Sequence, residues 1–412
     1  MQDQTLWRAD QPARVIAVEM TESGGSCLRS RVWLWPALIF AVVGLFQSAC
    51  QRQESRNHGT SAQGTHPDGG GDAQKTAASV KVIRIGYPGV GIGGRPYLGG
   101  TVAATVHGRR ALEEEFARDG IEVSWSLNKG AGPAVNELFA SRQLDFAYLG
   151  DLPAIVGRSI QLETKVIAAG GRGANLYLAV NGRSPYRRLE ELRGKRVAVF
   201  KGTALQLQAA RMLETFGYSE SDFKTITMDQ AAGLAALING DIDALWTQFP
   251  IFEYVEKGEV RILASSKDRL ANGTRPATAF GVFLVTTEFE RQHPELVQRV
   301  VTTVVREAAW SGDESHQAEL YKLWARAGYP EIVFSKEHEG ESLASRVSPL
   351  LDAEFVDDVR VAAEVSLKLS LIRKPINLEG WFEGKYVTQA IKDLKLEHYW
   401  KPHDAAGLAA DR

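Results

Sequence analysis

Asp145-Phe146-Ala147-Tyr148-Leu149-Gly150-Asp151-Leu152-Pro153 and, about a hundred residues later, Asp243-Ala244-Leu245-Trp246-Thr247-Gln248-Phe249-Pro250 are one pattern written twice. Each copy opens on an aspartate, runs through a short apolar strand with an aromatic in its fourth place, and stops at a turn closed by proline. Working outward, the strand Val82-Ile83-Arg84-Ile85 and the alternating Ile121-Glu122-Val123-Ser124-Trp125 precede the first copy. Arg196-Val197-Ala198-Val199-Phe200 and Phe223-Lys224-Thr225-Ile226-Thr227 precede the second. Helical stretches fill the gaps: 102–118, a helix opened by Gly130-Ala131-Gly132-Pro133, the stripe Ala209, Met212, Leu213 and Phe216, and 231–239. Strand–helix–strand–helix–strand, twice, predicts an α/β fold of two similar lobes. Each lobe is expected to be a βαβαβ parallel-type sheet covered by helices.

The strands between the copies predict how the lobes join. Residues 176–180 form an apolar strand leaving the first lobe, and 279–285 form one returning to it, so a two-stranded hinge is expected. Lobe 1 is then 80–180 plus 280–400, with C-terminal helices near 296–310, 318–327 and 356–371. Lobe 2 is 181–279.

Upstream, residues 32–46 are fifteen uncharged, mostly apolar residues. That is shorter than the roughly 20 a membrane-spanning helix needs. Arg29 and Arg31 precede the run, and Ser48, Ala49 and Cys50 follow it. Residues 1–49 therefore read as a secretory signal, with Met20 an alternative start. A cysteine after two small residues makes Cys50 the candidate for lipidation, with simple secretion or an uncleaved anchor as the other readings. Residues 50–79, rich in Gly, Ser, Thr and Gln, form a flexible linker; His58 and His66 within it match no metal-site spacing. The expected address is the periplasm or cell envelope, with the body tethered at Cys50.

Composition narrows the chemistry. Lys+Arg 48 against Asp+Glu 50 leaves a net charge of −2, so no basic excess exists to hold a nucleic-acid backbone. No cysteine follows Cys50, which removes disulfides and thiol nucleophiles from the folded part. No His-Glu-x-x-His, Gly-x-Ser-x-Gly or P-loop pattern is present, so neither a catalytic residue nor a metal or other cofactor is assigned. Gly89-Val90-Gly91-Ile92-Gly93-Gly94 does fit Gly-x-Gly-x-x-Gly. However, Tyr87-Pro88 separate it from the strand, Arg95-Pro96 follow it, and no acid ends the second strand, so it reads as a mobile glycine loop at a cleft edge rather than a dinucleotide fingerprint.

What remains is a set of helix N-termini. Loops after parallel strands gather along one sheet edge. Here they supply Tyr87, Gly89, Asn128, Gly132, Gly150, Asp151, Gly202, Thr203, Trp246, Thr247 and Gln248 as candidate ligand-binding residues. Asp151 is the expected N-cap of the helix that follows it. Lys129, Arg172 and Lys201 are the candidate cations, and Tyr87, Tyr148 and Trp246 the candidate non-polar walls. Each N-terminus favours an anion by roughly 0.3–1 kcal/mol. Several converging termini would contribute a good part of the roughly 8 kcal/mol that micromolar affinity needs.

The stretches 128–137 (Asn-Lys-Gly-Ala-Gly-Pro-Ala-Val-Asn-Glu), 144–153 (Leu-Asp-Phe-Ala-Tyr-Leu-Gly-Asp-Leu-Pro) and 192–203 (Leu-Arg-Gly-Lys-Arg-Val-Ala-Val-Phe-Lys-Gly-Thr) resemble the periplasmic substrate-binding proteins of ABC importers, nearest the aliphatic sulfonate, taurine and nitrate binders. The resemblance spans about residues 80–310. It implies a type II periplasmic binding-protein fold whose lobes close on a small anion, most simply an aliphatic sulfonate, and deliver it to a membrane permease, the protein acting as a monomer without enzymatic activity. Two departures touch the ligand: Trp246-Thr247-Gln248-Phe249-Pro250 stands where relatives often have Trp-Asp-Pro or Trp-Glu-Pro, and the loop from Tyr87 is unusually glycine-rich. The alternatives are an NMT1/THI5-like pyrimidine-precursor binder or enzyme, and a sensor that reports the closed form to a membrane kinase.

Overall fold

The computed structural model describes residues 80–268 and 278–402, which lie in one compact unit, Gln74–Arg412. The proposed signal, Cys50 and the linker lie outside the described residues. Among the described residues, no helix is long and apolar enough to cross a membrane.

Ten strands form two sheets: β1 Val82–Tyr87, β2 Glu122–Leu127, β3 Phe146–Gly150, β4 Thr164–Ala174, β5 Tyr177–Asn181, β6 Arg196–Val199, β7 Lys224–Thr227, β8 Ala244–Thr247, β9 Val260–Ser265 and β10 Ala279–Thr286. The first sheet has the order β2-β1-β3-β10-β4 and the second β7-β6-β8-β5-β9. In each, the three repeat strands run parallel, and the remaining pairings are antiparallel. The result is the two-lobed α/β architecture expected from the alternation. The strands carry apolar residues because both sheet faces are covered. Phe146 and Tyr148 of β3 enter one core with Ile83 and Ile85, while Ala147 and Leu149 enter the other.

The duplication is visible atom by atom. Arg84 donates its backbone N–H (2.9 Å) and Nε (3.0 Å) to one oxygen of Asp145. Arg196 does the same to Asp243, at 2.9 and 3.1 Å. In each lobe this clamp locks the first repeat strand to the residue that opens the third, setting the register that brings the loops beyond to one edge.

Three expectations need correction. Residues 177–181 do not belong to the first lobe: β5 pairs with β8 and β9 inside the second sheet. Leu178 and Val180 fill one core there, and Tyr177 and Ala179 the other, so both faces and both edges of the strand are satisfied in lobe 2. Next, the single helix expected over 102–118 breaks into Val102–Gly108 and Ala111–Phe116, because Arg110 takes φ +55° in the left-handed region. Finally, Phe216, placed in an apolar stripe, is 39% exposed, because the helix ends at Thr215. The C-terminal helices pack mainly on lobe 1. Pro294–Gly312 contributes Val297, Val300, Val301 and Val304 to its larger core, and Ala353–Lys368 contributes Phe355 and Val359 to its second.

Where the chain crosses between sheets the two passes hold each other. Leu176 N–H donates to Ser266 Oγ, and Ser266 N–H to Leu176 O, both at 3.0 Å. The helix Glu331–His338 braces this hinge through buried Glu337. Its carboxylate accepts from Tyr177 Oη (2.6 Å), Asn175 Nδ2 (3.1 Å) and Arg346 Nη2 (2.7 Å).

Candidate functional site

The cleft-side loops of both lobes meet along one seam. Three glycines define it: a methyl group would collide at Gly132 and Gly150 and be crowded at Gly202. A Cβ on Gly132 would sit 2.3 Å from Pro153 Cβ, and one on Gly202, at φ +75°, would sit 3.2 Å from Pro133 Cγ. One on Gly150 would sit 2.8 Å from Ala204 Cβ in the opposite lobe. The first turns of three helices therefore converge: Ala131–Ala140 and Asp151–Ser159 from lobe 1, and Ala204–Thr215 from lobe 2.

These three starts share a property. At none of them does a side chain cap the N-cap position. The neighbouring helices Val102–Gly108 and Gln230–Asn239 are capped in the ordinary way, by Thr101 and by Asp229. An uncapped helix start keeps N–H donors and the positive end of the macrodipole available, which suits an anion; at the Asp151 start one of those donors, the Leu152 N–H, is taken by the Asp151 carboxyl. The Ala131–Ala140 start is also strained. Ala131, a non-glycine residue, is held at φ +54°, and its N–H donates to Asn128 O at 3.1 Å.

Among the expected site residues, Gly132, Gly150 and Gly202 lie on the seam by these contacts. Thr203 is the N-cap of Ala204–Thr215, but its hydroxyl donates to Phe200 O at 2.6 Å. Tyr87 ends β1 half-buried, with its hydroxyl 3.3 Å from Thr101 Oγ1 and its ring beside Gly89. Asn128 ties the first two loops together, donating from Nδ2 to Ser126 O (2.9 Å) while its N–H reaches Tyr87 O (3.0 Å). Gln248 is half-buried at the end of β8.

Others are placed differently. Arg172 does not face the seam with an open charge: Nη2 pairs with Asp352 at 2.8 Å, Nη1 reaches Glu354 at 3.5 Å, and the guanidinium lies over Phe355. Lys201 is paired with Glu220 at 3.4 Å. Trp246 is 3% exposed inside the second lobe's core, because strand alternation sends it inward with Ala244. Thr247, equally buried, donates to Gln230 Oε1 at 2.6 Å. Asp151 is the first residue of its helix rather than the N-cap; Gly150 takes that place. The Asp151 carboxyl is 1% exposed and accepts the Leu152 N–H at 2.6 Å, with Oδ2 left without a partner. Burial pushes its pKa up to about 7, against the Leu152 N–H and Arg211. It is thus largely uncharged below neutrality, the state that tolerates a neighbouring anion. The glycine loop is pinned rather than mobile: Ile92 N–H donates to Ala327 O at 2.8 Å, and a Cβ on Gly91 would meet that oxygen at 2.6 Å.

Sequence reasoning missed two features. Gln206 Oε1 accepts the Gly202 N–H at 2.8 Å, and Gln208 Nε2 donates across the lobes to Ala174 O at 2.8 Å. Two glutamines among the apolar residues of the helix's first turns were the available signal. Phe249 leaves lobe 2 to pack against Tyr329 and Phe334, ring centroids 5.7 and 5.4 Å apart. Among the described residues no cluster of His, Cys, Asp and Glu could hold a metal. A cavity of about 280 Å³ lies at the hinge rather than the seam, lined by Asn175, Ser266, Glu341 and Arg346 among others.

Known proteins resemble the chain in both sequence and fold. Residues 115–317 match the family described as NMT1/THI5 like. A Bacillus subtilis protein named for aliphatic sulfonate binding is 24% identical over 289 residues, 68% of this chain and 82% of its own length. The taurine-binding periplasmic protein of Escherichia coli is 26% identical over 47% of this chain and 59% of its own. The crystal structure of a periplasmic sulfonate-binding protein, SsuA, from Methylobacillus flagellatus superposes with a TM-score of 0.68 at 28% identity, covering 79% of this chain and 98% of that one. These relatives are binding proteins.

Proposed function

We propose that this chain, NMT1/THI5-like across residues 115–317 and sharing the two-lobed scaffold of periplasmic sulfonate-binding proteins, is the extracytoplasmic solute-binding protein of an ABC importer and captures a small sulfonate between its lobes. One observation carries this reading: three helix starts whose N-cap residues supply no side-chain cap, drawn from both lobes, converge where Gly132, Gly150 and Gly202 let the loops pack closely. A sulfonate offers three oxygens and a full negative charge, matching several fixed N–H groups. Lobe closure around the hinge desolvates the charge, which strengthens these interactions. The protein binds and releases without chemistry, works as a monomer and hands its cargo to a membrane permease. Lipidation of Cys50 would keep it tethered near that partner.

Titration calorimetry with short alkanesulfonates tests the core of this. The expected result is one site with micromolar or tighter affinity, about −8 kcal/mol, and a compaction on binding seen by small-angle scattering. Steady conversion of the sulfonate to a product, or affinity for none of them, refutes it. A sensor on the same fold would share the binding step. Failure of a permease-dependent uptake assay with tight binding intact would favour it.

A further inference from the structure

We infer that the ligand's tail is flat, apolar and of aromatic size, and that it carries no amine; this rests on the sulfonate-binding reading above. Two observations combine. The first is the walls. On the lobe 1 side the wall is Tyr87, backed by Tyr148 with ring centroids 6.3 Å apart, Tyr148 itself lying in the lobe 1 core stacked on Phe283 at 4.3 Å. From lobe 2, Phe249 reaches across to Tyr329 and Phe334, and Gly100, at φ +77°, brings backbone so close that a Cβ would touch the Phe249 ring at 3.1 Å. Tyr87, Phe249 and Tyr329 are each half-buried, packed against the lobe 1 core without being sealed into it. The Tyr148 hydroxyl, on a side chain only 4% exposed, has no hydrogen-bond partner, a buried polar group left for something else to satisfy. Aromatic rings in such numbers favour an aromatic guest through edge-to-face and offset contacts.

The second observation concerns charge. An ammonium on the tail needs a carboxylate or several acceptors once it leaves water. Apart from Asp358, which acts on Asp151 but is exposed to solvent, the nearby carboxylates are engaged. Asp229 caps the Ala232 N–H at 2.8 Å, Glu220 takes Lys201 and the Gln206 amide, and Glu253 pairs with Lys257 at 2.7 Å. Asp151 is buried and largely uncharged below neutral pH. Thr247 ends β8 with its hydroxyl already bonded to Gln230, and Gln248 follows it. Lys129, whose Nζ lies beside Gly94, adds positive charge that repels an ammonium.

The experiment is calorimetry on the full chain at pH 6.5 with benzenesulfonate, propane-1-sulfonate and taurine, repeated with Phe249→Leu and, to guard against misfolding, with Tyr329→Leu, each checked by thermal melting. Benzenesulfonate is expected to bind at least tenfold tighter than propane-1-sulfonate, and taurine at least tenfold weaker than it. A folded variant at either aromatic is expected to lose most of the benzenesulfonate advantage. Taurine matching propane-1-sulfonate, or benzenesulfonate gaining nothing, overturns this inference and leaves the sulfonate reading standing. Full retention of the benzenesulfonate advantage in both folded variants also overturns it. Binding of none of the three overturns the sulfonate reading and this inference with it.

Discussion

Asp151→Asn probes the buried carboxyl at the seam. In the folded protein burial lifts its pKa from 3.8 to about 7, outweighing the Leu152 N–H and the Arg211 charge that pull it down, with Asp358 adding repulsion. The unfolded chain releases this proton near pH 4 and the folded chain keeps it to about pH 7. Between those values the native state binds more protons than the unfolded state, so this group makes stability fall as pH rises through the window. The gap from 3.8 to about 7 corresponds to at most about 4 kcal/mol. Asparagine keeps an oxygen for the Leu152 N–H, which Asp151 accepts at 2.6 Å, and cannot ionise. The variant should therefore match the wild type at pH 4 and become progressively more stable by pH 8, by about 2–4 kcal/mol. Urea denaturation of both proteins at unit pH steps, with equal m-values, measures this. Sulfonate affinity should also weaken between pH 6 and 8 in the wild type and stay level in the variant, since the new charge would sit at a helix start meant for an anion. Parallel stability curves, or a wild type that gains on the variant as pH rises, would refute the reasoning.

Two further outcomes follow from particular contacts. Glu337→Ala removes the shared acceptor of Tyr177, Asn175 and Arg346 at the hinge and should cost about 3–5 kcal/mol in urea denaturation, as expected when one partner of a buried ion pair is deleted; a loss below about 1 kcal/mol would show that Glu341 alone satisfies Arg346. Ala131→Gly relieves a left-handed conformation at φ +54° and should raise stability by about 1 kcal/mol in thermal melts, whereas destabilisation would mean the strain is absent.

Much of the architecture was legible because it is written locally. The alternation of strands, the 3.6-residue helix period and the repeated aspartate depend on near neighbours, and each lobe buries its own pattern. Site glycines could be read for the same reason: small residues between a strand and a helix imply close approach. Parity errors were harder to avoid. Trp246 and Thr247 are adjacent, and nothing in the strand alone says which core receives the indole. Helix capping was similarly underdetermined, since Gly150 and Asp151 both suit the position and only the backbone angles choose.

The sequence by itself determined two α/β lobes, the repeat that relates them and the edge where a ligand would bind, because periodicity and turn chemistry act over a few residues. Only the tertiary structure decided which charges remain for a ligand. Arg172 finds Asp352 across 180 positions of chain, and Lys201 finds Glu220 through a neighbouring loop. The placement of β5 in the second sheet and of Phe249 against Tyr329 was decided in the same way. A charge or ring is committed to its partner by packing in three dimensions, and side-chain identity says only that it needs one.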